Sequence, residues 1–350
     1  MDAKSQLSSK KTILITGGAG FIGSQFVEYI FDNHPDWHIV IIDVLTYAGH
    51  LDNIPKKIRE SGRFEFWYGD IRDRALVFDL VAHSDIVVHF AAESHVARSL
   101  FDDRKFFETD VIGTQTVASA VVKYRENLEL FVHISTSEVY GSAVSVPMDE
   151  NHPLNPTTPY ASAKCAADRL VYSYLSTYNI PGVILRPFNN YGPRQHLEKV
   201  IPRFVIHALK GKPLMVHGGG ENSRDWIFVK DCCVAIDTVI NTSKDKIIGN
   251  IFNIGTGEEI KIKDIALFVK EFTGSSSNIV YSMDRPGQVK RHKADYKKIK
   301  ETIGWKPKID FKQGLKGTIE WYEENEQWWK GMEWMLKIPY KTWNGKEFWL

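Results

Sequence analysis

Cysteine is scarce in this 350-residue chain, which carries only Cys165, Cys232 and Cys233. Two of the three are sequence neighbours that do not easily pair, so neither a disulfide framework nor a zinc-binding spacing is visible. A reducing, cytoplasmic setting is expected. Net charge is nearly absent too, at +1 with a pI near 7.7. That balance gives no global field for nucleic acid, so an anionic ligand must be held by local groups, and a small phosphorylated partner is expected. No apolar run approaches the roughly 20 residues of a membrane span, and the polar stretch 1–11 lacks a signal-like apolar core. Internal repeats and low-complexity segments are missing as well. What remains is a chain with 43% hydrophobic residues, enough for one large α/β domain or two lobes.

Its apolar runs are short and regularly spaced. Residues 12–16 form one such run, ended by glycines, and 21–30 then shows helical apolar spacing. Further runs follow at 38–42, 64–68, 86–90, 130–135 and 182–186, alternating with helical segments. This alternation predicts a doubly wound parallel α/β (Rossmann) sheet with right-handed crossovers and ligands beyond the carboxyl ends of its strands. After Arg186 proline and glycine break the pattern, which suggests a smaller substrate lobe. Residues 226–256 look like a return to the sheet. The expected division is therefore 1–187 with 226–256 for the cofactor, and 188–225 with 257–350 for the substrate. The tail is crowded with Trp328, Trp329, Trp334, Trp343 and Trp349, which argues for packing against the body or for an interface.

Gly17, Gly20 and Gly23 lie directly between a predicted strand and helix. Glycines there let the turn close and a diphosphate approach the amides at the helix start, with Gly23 allowing close helix packing. Asp43 ends the next strand, where a carboxylate accepts hydrogen bonds from ribose hydroxyls and repels a 2′-phosphate. The pair points to NAD rather than NADP. Asp70 and Ile71, after the third strand, are placed beside the adenine.

Tyr160 and Lys164 stand four residues apart, on one face of a predicted helix. An ammonium near a phenol is expected to lower its pKa, so that Tyr160 can take a proton from a substrate hydroxyl. Thr136, Ser137 and Glu138 follow the 130–135 run and reach the same rim, Thr136 to bind a sugar hydroxyl and Glu138 as general acid or base. Asn189, Asn190, Lys199, Arg224 and Arg285 suit a diphosphate and its nucleoside. No metal site is expected.

Across nearly its whole length the chain resembles the extended short-chain dehydrogenase/reductases acting on nucleotide sugars, and most closely the dTDP-glucose 4,6-dehydratase group. The resemblance rests on 45–49 (Leu-Thr-Tyr-Ala-Gly), 91–96 (Ala-Ala-Glu-Ser-His-Val), 189–193 (Asn-Asn-Tyr-Gly-Pro), 198–202 (Glu-Lys-Val-Ile-Pro), 224–226 (Arg-Asp-Trp), 284–287 (Asp-Arg-Pro-Gly) and 325–329. It implies that Phe21, Ile22, Asp43, Asp70, Ile71, Ala91, Ala92, Ser94, Thr109, Tyr160, Lys164 and Asn190 line NAD. It also implies that Thr136, Asn189, Lys199, Val200, Met215, Val216, His217, Arg224, Asp284, Arg285 and Gln288 line the sugar nucleotide. A homodimer through two helices, one carrying Tyr160 and Lys164, belongs to the same expectation.

This sequence departs from the pattern at Ser137, where the dTDP-glucose enzymes carry an aspartate that protonates the leaving C6 hydroxyl. Thr-Ser-Glu resembles instead the GDP-mannose 4,6-dehydratases, in which one glutamate covers both proton transfers, and the UDP-glucuronate decarboxylases. Ala97 and Gln288 also replace an aspartate and a histidine of the pattern. The expected activity is conversion of a nucleotide hexose to its 4-keto-6-deoxy form. Uronic-acid decarboxylation, C4 epimerisation and a non-catalytic NAD-binding scaffold stand as alternatives.

Overall fold

The computed structural model describes residues 11–284, 286–337, 339–341 and 344–349. Its frame begins with β1 (Thr12–Thr16), β2 (His38–Asp43), β3 (Phe64–Tyr68), β4 (Ile86–His89), β5 (Leu130–Ile134) and β6 (Gly182–Pro187). Next, β7 (Asn189–Tyr191), β8 (Leu214–His217) and β9 (Ser223–Phe228) leave the sheet, and β10 (Ile251–Ile254) returns to it. The seven-stranded order is β10-β6-β5-β4-β1-β2-β3, with every neighbouring pair parallel. Six of the seven strands stand at the short apolar runs, the seventh, β10, falls within the expected 226–256 return, and the Rossmann expectation holds.

Strand period explains how one sheet serves two cores. Ile13, Ile15, Ile39, Ile41, Ile86, Val88, Leu130 and Val132 face one cluster with the Phe21–Asn33 and Val229–Ile240 helices. Their alternates Leu14, Val40, Ile42, Val87 and Phe131 face the other, beneath the Arg74–Ala82, Thr114–Tyr124 and Pro159–Tyr178 helices. A one-residue slip in register would exchange the two faces. Because β1 lies between β2 and β4, the strand order reverses there and opens a crevice at their carboxyl ends.

The second lobe has its own core of Tyr191, Phe204, Trp226, Leu315, Tyr322 and Trp329. Here β9 pairs with β7 and with β11 (Glu259–Lys261), while β8 pairs with β12 (Ile279–Ser282). Two boundaries differ from the expected division. β9 belongs to this smaller sheet, and Ile299 with Trp305 packs back into the core under the large sheet. Of the tail tryptophans, Trp329 is buried and Trp328 donates to Asn53 Oδ1 at 3.0 Å, whereas Trp334 is exposed. Trp343 and the Trp349 side chain lie outside the described residues. Among the described residues no helix is long and apolar enough to cross a membrane, and no metal-holding cluster is present.

Candidate active site

Gly17 adopts φ +70°, and a Cβ there would stand 2.6 Å from the Ala91 nitrogen. Only glycine turns the chain at that point without strain. A Cβ on Gly23 would fall 2.2 Å from the Gly17 carbonyl oxygen, so this glycine lets the helix close on the turn itself. Gly20 caps the Phe21–Asn33 helix, whose first turn carries no acidic residue. The positive helix end therefore meets the cavity with no carboxylate of its own first turn against it. Asp43 bridges this loop, accepting from the Ala19 and Leu45 amides at 3.0 and 2.8 Å. A carboxylate retains further lone pairs after two such bonds.

The Tyr160 helix starts where its sequence says it should. Thr158 caps it by accepting from the Ala161 amide at 3.2 Å, and Pro159 supplies the preset first-turn backbone. Thr136 Oγ1 accepts from the Glu138 amide at 3.2 Å and opens the Ser137–Tyr140 turn. Lys164 Nζ donates to the Ile134 carbonyl at 2.9 Å, tying the helix to the end of β5.

The expected lowering of the Tyr160 phenol by Lys164 is not what the protein alone provides. Burial raises it, the Glu138 and Asp110 carboxylates add to the rise, and a hydrogen bond with Thr136 opposes it. Lys164 is itself lowered by burial, against the pull of Asp110 and Asp168. Spacing on a helix puts phenol and ammonium on one face, but it does not count the carboxylates that the rest of the fold brings up.

One cavity of about 900 Å³ gathers Gly17, Gly20, Phe21, Ile22, Gly23, Asp43, Asp70, Ile71, Ala91, Ala92, Ser94, Thr109 and Asn190. It also holds Thr136, Ser137, Glu138, Tyr160, Lys164, Asn189, Lys199, Val200, Met215, His217, Arg224 and Gln288. Two expected members lie elsewhere. Val216 alternates with its neighbours on β8 and points into the lobe core, while Asp284 is exposed and outside the lining. Arg285 lies outside the described residues. Asn189 and Asn190 each bury an Oδ1 with no hydrogen-bond partner, an arrangement suited to a ligand donor. Together with the glycine cradle and the bare helix end, these residues fit NAD.

Several groups escape a motif-based reading. Asp110 is buried in a π-helical turn, Phe107–Gly113, with one oxygen accepting the Glu93 amide at 2.8 Å and the other without a partner. Burial raises its carboxyl, against the pull of Lys164. A buried acid inside an otherwise helical pattern was the available signal. His292, fully buried beside Ser137, had none. Arg98 stacks on Tyr47 at 4.2 Å and bonds Glu198 at 2.8 Å. Burial works to raise the Glu198 carboxyl, yet His95, His196, Lys199 and Arg98 hold it down at about 2.

The GDP-mannose 4,6-dehydratase family model matches residues 14–318. The chain belongs to that family. It is 43% identical over 311 residues to the low-salt glycan biosynthesis protein Agl12 of Haloferax volcanii, covering 89% of this chain and 98% of that one. It is 38% identical over 323 residues to a dTDP-glucose 4,6-dehydratase of an Actinoplanes strain, covering 91% and 99%. Among solved structures, the dTDP-glucose 4,6-dehydratase DesIV of Streptomyces venezuelae, with NAD and TYD bound, has a TM-score of 0.87 at 39% identity over 92% of this chain and 99% of that one. A UDP-glucose 4-epimerase of Thermotoga maritima, with UDP-glucose, has a TM-score of 0.83 at 30% identity over 90% and 99%. Family membership accounts for the extended dehydrogenase/reductase architecture described above.

Proposed function

We propose that the chain is an NAD-dependent nucleotide-sugar 4,6-dehydratase that converts a dTDP-glucose-like nucleotide hexose to its 4-keto-6-deoxy form. The observation that carries this reading is Glu138 in the same cavity as Tyr160, in the first turn of the short helix that Thr136 caps. Tyr160 removes the C4 hydroxyl proton, with Thr136 orienting that hydroxyl. NAD held by the glycine turn, Asp43 and Asn190 would supply the hydride acceptor for C4, the hydride donor for C6 and a positive charge to counter the raised Tyr160 phenol. The C4 ketone acidifies C5, and Glu138 takes the C5 proton. Lys199, Arg224, Asn189 and Gln288 hold the nucleotide diphosphate end, which keeps the hexose against the rim.

Three other readings fit the residues less well. C4 epimerisation leaves Glu138 without a task. Decarboxylation of a uronic acid wants an arginine at the C6 carboxylate; of the three candidates, Arg186 is buried against Asp168, with two contacts of 2.9 Å, Arg194 is paired with Glu28, and Arg285 lies outside the described residues. A non-catalytic scaffold does not require Thr136, Tyr160 and Lys164 at one cavity. We further place the enzyme in the cytoplasm as a homodimer. Exposed Phe107, Ile112 and Tyr172, on the helical segments flanking the Tyr160 helix and on that helix itself, are the apolar surface such pairing would cover.

The test is Glu138→Gln mixed with dTDP-glucose and related nucleotide hexoses. Bound reduced cofactor should appear at the unmodified rate and persist, with no base-stable 4-keto absorbance developing. Full turnover by this variant would falsify the assignment of Glu138.

A further inference from the structure

We propose that His292 is a positioning residue for elimination, fixing the Ser137 hydroxyl as a hydrogen-bond acceptor for the C6 hydroxyl so that Glu138 alone carries the C5 proton to the leaving oxygen. This rests on the dehydratase reading. His292 is fully buried, and its backbone nitrogen donates to the Ser223 carbonyl at 3.1 Å. Its Nε2 lies 2.7 Å from the Gly141 carbonyl oxygen. A carbonyl can only accept, so Nε2 carries the hydrogen and Nδ1 of the neutral ring is left as a bare acceptor. That Nδ1 stands 3.4 Å from Ser137 Oγ, a separation typical of catalytic contacts before substrate tightens them. Phe188 lies edge-on to the ring at 5.9 Å.

The charged and titratable groups facing His292 are Glu138, Arg224 and His152. Burial lowers the imidazole to about 4, with Glu138 opposing and Arg224 and His152 adding to the fall. The ring is therefore neutral at working pH. A serine has one hydroxyl hydrogen, and giving it to Nδ1 turns only lone pairs toward the cavity. The sugar C6 hydroxyl then donates its own hydrogen to Ser137, and its lone pairs face Glu138. The C5–H bond breaks with the proton passing to the Glu138 carboxylate, and its electron pair forms the C5–C6 double bond. The C6–O bond breaks, the same proton passes from Glu138 to that oxygen, and water leaves. Glu138 ends as a carboxylate, so no outside acid is required and a serine suffices where related enzymes carry an aspartate.

The experiment follows reduced-cofactor absorbance in rapid mixing with dTDP-glucose for the unmodified enzyme, His292→Phe, His292→Asn, Ser137→Ala and the Phe/Ala double variant. At saturating dTDP-glucose the formation of the reduced cofactor should slow far less than its decay. Its decay should slow by roughly tenfold to a hundredfold in His292→Phe and in Ser137→Ala, and the double variant should be no slower than the slower single one. His292→Asn, whose amide oxygen can occupy the Nδ1 position, should recover part of the decay rate. Parallel loss of formation and decay, or multiplied effects in the double variant, would overturn the proposal. Ser137→Ala removes almost no packing, so unchanged decay in it is decisive even where His292→Phe does not fold. No cofactor reduction in the unmodified enzyme with any nucleotide hexose would overturn the dehydratase reading and this inference together.

Discussion

Gly17 and Gly23 bring bare backbone to the ends of a seven-stranded sheet, whereas Lys199, Arg224 and Gln288 reach the same cavity as long side chains from short strands and loops. The first kind of site is rigid because each strand is bonded to its neighbours and its side chains fill cores on both faces. The second depends on where flexible side chains settle. Cofactor recognition should therefore fail through strain when its backbone is disturbed, and substrate recognition should fade group by group.

Tyr160→Phe acts where the two halves meet and should have the largest effect. Removing the proton acceptor should lower the rate of cofactor reduction by about a hundredfold to ten-thousandfold, with binding of NAD and of the sugar nucleotide kept. Rapid mixing gives the rate and calorimetry gives the binding. Reduction at more than a tenth of the normal rate would remove Tyr160 from its role.

Gly17→Ala breaks the cofactor half. The added Cβ meets the Ala91 nitrogen at 2.6 Å, at φ +70°. Strain of about 1–3 kcal/mol is expected there, and NAD should no longer raise the melting temperature as a ligand of the native state does. Lys199→Ala instead leaves that thermal response intact and raises the KM for dTDP-glucose by roughly tenfold, the usual effect of one lost charged hydrogen bond. Equal damage from both variants would erase the distinction between the halves.

The same physical difference decides what could be read from the chain. Parallel strands buried on both faces appear as short apolar runs, so β1 to β6 and the return strand near 251–254 were legible, as was the glycine turn. Most side chains expected at the cavity do line it, because motif residues at strand ends are carried there by the sheet. Val216 and Asp284 were not separable from their neighbours, since which residue of β8 or of the 284–287 loop faces inward depends on pairing with β12 and on loop path. The raised Tyr160 phenol was illegible for a similar reason: Asp110 is fifty positions away in sequence. His292 reaches Ser137 only through the fold.

Acid sensitivity should be intermediate in size. Burial holds His89 at about 3, and His196 and His292 at about 4, all below the usual value of about 6.5. The unfolded chain then binds more protons than the folded one, so stability is full above about pH 6.5 and is lost as the pH falls toward about 4. The loss should be on the order of 2 kcal/mol per histidine between about pH 7 and pH 5, read from urea midpoints. His89 belongs to the sheet half, with its ring nitrogens bonded to Thr16 and Thr114 at 2.6 and 2.9 Å. A flat profile would mean that these rings are hydrated in solution.

Asp284→Asn should do least, and that sharpens the contrast within the substrate lobe. Asp284 is exposed and outside the cavity lining, and its contact with Asn222 is long at 3.5 Å. Exposed substitutions of this kind usually change free energies by no more than about 0.5 kcal/mol, so KM should stay within about twofold. Gln288, four residues on, faces the cavity, and Gln288→Ala should raise KM severalfold. If Asp284→Asn had the larger effect of the two, the 284–288 segment would have to turn its acidic end inward when substrate binds. Specificity would then rest on how that segment closes over the nucleotide, and less on the side chains already aimed at it.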